Sequence, residues 1–196
     1  MARIYIETTV ASFYFNARTE PEMVARENWT RRWLDLAFAG TDELVTSLAV
    51  KSELNAGDFP NKADMLALVA RIPFLTLNDA VAETVDAWIS HHVMPNDPGG
   101  DALHLAAASF HRCDFLVTWN CRHIANANKF GHIRRVRAEM SKQAGHNIRT
   151  LIASINQQWP DEASRAIDPG TKAEQCDAHG AADSAFSNGE SSSVAR

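Results

Sequence analysis

Short apolar runs rich in β-branched and aromatic residues recur along the body of this chain: Ile4-Tyr5-Ile6, Leu44-Val45-Thr46, Phe74 to Leu77, and Phe115-Leu116-Val117-Thr118. Segments with helical spacing separate them. This alternation constrains the fold more than any other feature, because strands joined through helices run parallel, and a parallel sheet needs helices on both faces. The expected fold class is therefore α/β, a three-layer sandwich with a central, mainly parallel β-sheet flanked by helices.

The helical segments have recognisable starts and stops. From Pro21 to about Phe38, Trp29, Trp33, Leu36 and Ala37 fall on one face, and Gly40 ends the pattern. Ser47 is placed to cap a helix carrying Glu53, and Gly57 to Asn61 reads as a turn before a helix near Lys62 to Ala70. Asn78 is placed to cap a helix from Asp79 to His92. The loop Asn96-Asp97-Pro98-Gly99-Gly100 delivers the chain into a helix that starts at Asp101, itself an apt N-cap residue. Leu103, Leu105 to Ala108 and Phe110 make that helix apolar nearly all round, so it belongs deep in the core. Helices at Arg122 to Asn128 and Ile133 to Gln143, and a last strand at Ile148 to Ala153, complete the expected order.

Residues 1–159 are expected to form one domain, and residues 160–196 an acidic, disordered tail. The tail is rich in Ser, Ala, Gly, Asp and Glu, and Phe186 is its single aromatic residue. It also holds seven acids against three bases, which is −4 of the total −5 charge and leaves the body near neutral, neither favouring nor excluding nucleic acid. Cys113, Cys121 and Cys176 are odd in number and irregular in spacing, which argues against a disulfide framework, and Cys113, Cys121 and His123 lack the Cys-x-x-Cys pair of a zinc site. With no secretory pattern at Met1-Ala2-Arg3 and no apolar stretch of membrane-spanning length, the expected location is the cytoplasm.

In an open α/β sheet, ligands bind at the carboxyl ends of the strands. The polar residues there are Glu7 after the first strand, Glu53 in the helix after the second, Asp101 opening the helix before the fourth, and Asn120 after the fourth. Converging carboxylates repel one another unless a cation neutralises them, and oxygen-only donors suit Mg²⁺ or Mn²⁺. Glu7, Asp101 and Asn120 are the expected metal ligands, with Glu53 orienting or deprotonating a water. Thr8, Thr118 and Asn126 are expected to support them.

These segments resemble PIN-domain proteins. Ile4-Tyr5-Ile6-Glu7-Thr8-Thr9 is similar to their opening strand, Leu44 to Ser47 with Glu53-Leu54 to a second motif, and Asp101-Ala102-Leu103-His104-Leu105-Ala106-Ala107-Ala108 to a third. Leu116-Val117-Thr118-Trp119-Asn120, continuing to Ala127, resembles a branch of VapC-type toxins that carries Glu for the usual first Asp and Thr-Trp-Asn for Thr-x-Asp. The resemblance spans about Arg3 to Ile148. It implies a metal-dependent ribonuclease, the homodimeric toxin of a toxin-antitoxin pair, held silent by an antitoxin protein. Asn120 stands where an acid is usual, and this keeps open a PIN-like module that binds RNA or a partner without cutting.

Arg18, Arg26, Arg31 and Arg32 lie near Trp29 and Trp33, a mixture able to grip a phosphate backbone, although the tryptophans fit the core stripe better. A phosphoacceptor domain would need an Asp after a central strand and a Lys after a late one, and no suitable Lys follows. A nucleotide-binding module would need a Gly-rich phosphate loop, which is also missing.

Overall fold

A computed structural model describes residues 1–126, 128–129 and 131–136, together with the backbone of a strand at 151–154. Its elements run β1 (Arg3–Ile6), α1 (Thr8–Tyr14), α2 (Pro21–Ala39), β2 (Glu43–Ser47), α3 (Leu48–Ala56), α4 (Lys62–Val69), β3 (Phe74–Leu75), α5 (Asp79–Ser90), α6 (Asp101–Phe110), β4 (Phe115–Thr118) and β5 (Leu151–Ser154). All strand pairs are parallel, in the order β3-β2-β1-β4-β5. The expected α/β sandwich is the one formed.

The pleat of the strands divides the core in two. Ile4, Ile6, Leu44 and Val117 face one way, against Val10 and Phe13 of α1, Trp33 and Leu34 of α2, and residues of α3 and α4. Tyr5, Val45 and Leu116 face the other way, against Val81, Val85 and Trp88 of α5 and Ala102 and Leu105 to Ala108 of α6. Each fully buried aliphatic side chain contributes about 1.5–3 kcal/mol, so both layers are held mainly by this burial. The small residues of α6 let it lie close to the sheet, and it is buried almost throughout as its composition implies.

Chain direction creates the cleft. From β1 the chain moves outward to β2 and β3, then returns across the sheet to β4 on the other side of β1. The connections leaving the β1 and β4 ends therefore part to opposite faces, and the gap between them is the topological switch point of the sheet.

Several local expectations change. The buried stripe of α2 is Thr30, Trp33 and Leu34, while Leu36 is 58% exposed. The buried face is therefore rotated from the expected one, and Trp29, partly buried, stacks on Trp119. The third strand shortens to Phe74–Leu75. Residues 121–125 form a turn where a helix was expected. Residues 131–136 are helical, and the remainder of that expected helix and the 160–196 tail lie outside the described residues. Among the described residues, no helix is long and apolar enough to cross a membrane.

Candidate metal and catalytic centre

Glu7 is the hinge between β1 and α1. It is the N-cap of α1, and its Oε2 accepts from the Thr9 amide at 3.0 Å, the Thr9 hydroxyl at 2.5 Å and the Thr118 hydroxyl at 2.8 Å. Glu7 is only 3% exposed, yet no described residue donates to its Oε1. A buried carboxylate with one oxygen lacking a donor suits a cation. Thr118, at the end of β4, also accepts the Asn120 amide at 2.9 Å, so one hydroxyl ties together the ends of the two central strands.

Glu53 reaches the same place from α3. Its Oε2 accepts from the Thr8 hydroxyl, and its Oε1 lies 3.0 Å from Nε2 of His104. His104 Nδ1 lies 2.9 Å from the Tyr5 hydroxyl, which lies 2.7 Å from Ser47 Oγ. His104, Tyr5 and Ser47 are all buried. Burial works against a charged His104, but the Glu53 hydrogen bond and the charges of Glu7, Glu53 and Asp101 outweigh it and raise its pKa. A protonated imidazole donates at both nitrogens, to Glu53 and to Tyr5, leaving the Tyr5 hydroxyl to donate to Ser47. Burial likewise pushes Glu53 up, but His104 and Thr8 outweigh it and hold its carboxyl below the usual range.

Asp101 is in a different state. Burial, and after it the charge of Glu7, raise its pKa; Glu53 adds to the rise while His123 and His104 oppose it. Asp101 is the first residue of α6 and not its cap: Gly100 occupies the cap position, with no side-chain capping bond. Asp101 Oδ1 instead accepts from Asn120 Nδ2 at 2.9 Å. Asn120 Oδ1 accepts from the His123 amide at 3.1 Å, so Asn120 closes a turn and steadies Asp101. Glu53, Asp101 and His123 line a cleft of about 350 Å³ together with Pro95, Asp97 and Gly100.

One ligand atom from each of Glu7, Glu53 and His104 lies within 4.8 Å of the others, a cluster that could hold a metal ion. This differs from the expected set of Glu7, Asp101 and Asn120. Glu7 is common to both sets and Glu53 joins it, while His104 could ligate only as the neutral imidazole; protonated, it serves Glu53 instead. Thr8 and Thr118 each hold a carboxylate, as expected of supporting residues. Asn126 bonds the Arg122 carbonyl and the Asn128 amide, within its own turn. Ser47 stands at the N-cap of α3, but its hydroxyl makes no capping bond and instead serves Tyr5.

His104, Tyr5 and Thr9 were not singled out by the sequence reading, and His123 was weighed only as a zinc ligand. Two signals point to the first pair. Asp101 and His104 are three apart on one helix and so share a face. Tyr5 places a phenol in an otherwise aliphatic strand, where burial demands a partner.

No protein-family model matches the chain, and no curated protein matches it either.

Proposed function

We propose that this protein is a metal-dependent nuclease acting on RNA, of the PIN-domain kind its motifs resemble. The observation that carries the reading is the meeting of Glu7, Glu53 and Asp101, from three separate elements, at the switch point of a parallel sheet. Buried carboxylates that face one another are costly to a fold, and a divalent cation relieves the cost. Glu7 and Glu53 would hold Mg²⁺ or Mn²⁺, which would supply a water of lowered pKa and neutralise charge on a phosphodiester.

The protein's own groups divide the remaining work. His104 fixes Glu53 from behind, and its link to Tyr5 and Ser47 keeps the imidazole from turning. Glu53 is taken up with His104, Thr8 and the cation it would share with Glu7, so the base role expected for it passes to Asp101. Asp101, which borders the cleft, takes the proton of the attacking water at its carboxylate, and Asn120 holds that carboxylate in place. The cleft beside them is bordered by Pro95, Asp97 and Gly100 on the loop before α6.

Purified protein should cut single-stranded RNA with Mn²⁺ and stop when EDTA is added, and Asp101→Asn should lower cleavage by at least about a hundredfold. Cleavage that survives both EDTA and Asp101→Asn would refute the reading.

A further inference from the structure

Two arginines are stacked on aromatic rings immediately beside this centre. The guanidinium carbon of Arg18 lies 5.0 Å from the Phe13 ring centroid and that of Arg26 lies 5.5 Å from the same centroid. Arg26 is also 5.2 Å from the Trp119 ring. Among the described residues, neither arginine forms a salt bridge with a carboxylate, whereas Arg31 pairs with Glu27 at 3.0 Å and donates to the Tyr14 carbonyl. Three of the four arginines are thus sorted: Arg31 pairs with Glu27, while Arg18, whose Nε donates to Asn16 Oδ1 at 3.0 Å, and Arg26 form a pair of like charges over one ring.

The platform is fixed to the catalytic end of the sheet. Trp119 directly follows Thr118, and its amide donates to the Thr9 hydroxyl at 2.8 Å, the same hydroxyl that bonds Glu7. Its indole donates to the buried Thr30 hydroxyl at 2.8 Å, and Trp29 stacks on it with ring centroids 6.3 Å apart. Phe13 and Trp119 are 8% and 7% exposed, so no nucleobase can stack on them. What they offer outward is the pair of guanidinium groups, whose planar forks match the paired oxygens of a phosphodiester.

We propose that Arg18 and Arg26 form a phosphate-binding subsite that grips the backbone of single-stranded RNA next to the Glu7 centre, independently of base sequence. The proposal rests on the nuclease reading for its choice of RNA, but binding can be measured without cleavage. Glu22, one turn before Arg26 on α2, tempers the local charge but does not remove the pair. The competing role is a structural one, in which the arginine stems only shield the rings from water.

The test uses the full chain in EDTA and a short fluorescein-labelled oligouridylate, with anisotropy followed over a range of salt. Arg18→Met combined with Arg26→Met keeps the apolar cover of Phe13 and Trp119 while removing both charges. The log–log salt slope should shrink by about 1.4, the value for two phosphate contacts on a single strand, with an unchanged melting temperature. An unchanged slope, or a wild type that cuts RNA with Mn²⁺ but shows no arginine-dependent binding, would overturn the subsite and leave the nuclease reading standing. A slope that shrinks as expected in a protein that never cuts RNA would support the subsite and refute the nuclease reading.

Discussion

Glu53 and Asp101 border the same cleft, yet their surroundings drive them in opposite directions. Glu53 is backed by a buried chain of hydrogen bonds that begins at a raised-pKa histidine and ends at Ser47, and its carboxyl is held low. Asp101 is backed only by the neutral amide of Asn120 and faces Glu7, and its carboxyl is pushed up. The difference is that the fold gives one carboxylate an internal partner in His104 and leaves the other without a cationic hydrogen-bond partner among the described residues. A site wholly neutralised from within would have no reason to bind metal, and one with no internal counter-charge would strain the fold.

Removing the internal counter-charge should have the largest effect. His104→Ala strips Glu53 of its partner and leaves the Tyr5 hydroxyl facing a cavity, and the expected cost is about 3 kcal/mol in urea unfolding. A loss under about 1 kcal/mol would mean that the chain behind Glu53 carries little charge, and the contrast with Asp101 would disappear.

Tyr5→Phe cuts the same chain one step further back. His104 Nδ1 and Ser47 Oγ lose their shared hydroxyl in a buried place, at an expected cost of about 1–3 kcal/mol without change of fold by circular dichroism. A neutral result would place the anchor of His104 elsewhere.

The pH dependence of the metal-free protein should be the smallest effect and should resolve the three groups by sign and by pH range. His104, raised in the fold, contributes stability that is fully present below its ordinary 6.5 and is lost as pH rises through the raised value. Glu53, lowered in the fold, contributes stability present above its ordinary 4.5 and lost as pH falls through the lowered value. Asp101 runs the other way from Glu53: its raised pKa costs the fold stability as pH climbs past its ordinary 3.8 through the raised value. Denaturant melts of wild type and Asp101→Asn should therefore differ little at the acid end and diverge in favour of Asn as pH rises. A constant gap would remove the electrostatic explanation.

The fold was readable because its determinants are local. Runs such as Leu44-Val45-Thr46 and Phe115 to Thr118, separated by capped helices, leave few arrangements other than a parallel sheet, and Asn78 caps α5 as its position implies. The acidic members of the centre were readable for a related reason, since Glu7 and Asp101 sit at a strand or helix end and Glu53 lies in the short helix that directly follows β2. His104 was hidden because it lies inside an apolar helix, and only the packing of α6 on β1 gives it Tyr5 and Glu53 as partners. The same limit applies to Asn120, whose two hydrogen bonds decide that it orients Asp101, and to Leu36, whose exposure depends on which face α2 turns to the core.

The most direct measurement is the thermal melt of wild type and Asp101→Asn, each in EDTA and in excess Mn²⁺. Asp101 does not cap its helix, and Asn keeps the oxygen that accepts from Asn120, so the substitution removes charge with little else. Wild type should melt higher with Mn²⁺ than with EDTA, by mass action on the folded state. Asp101→Asn should melt in EDTA at or above the wild-type temperature and gain less from Mn²⁺. Coincident wild-type curves with and without metal would contradict a metal centre at the carboxyl ends of β1 and β4.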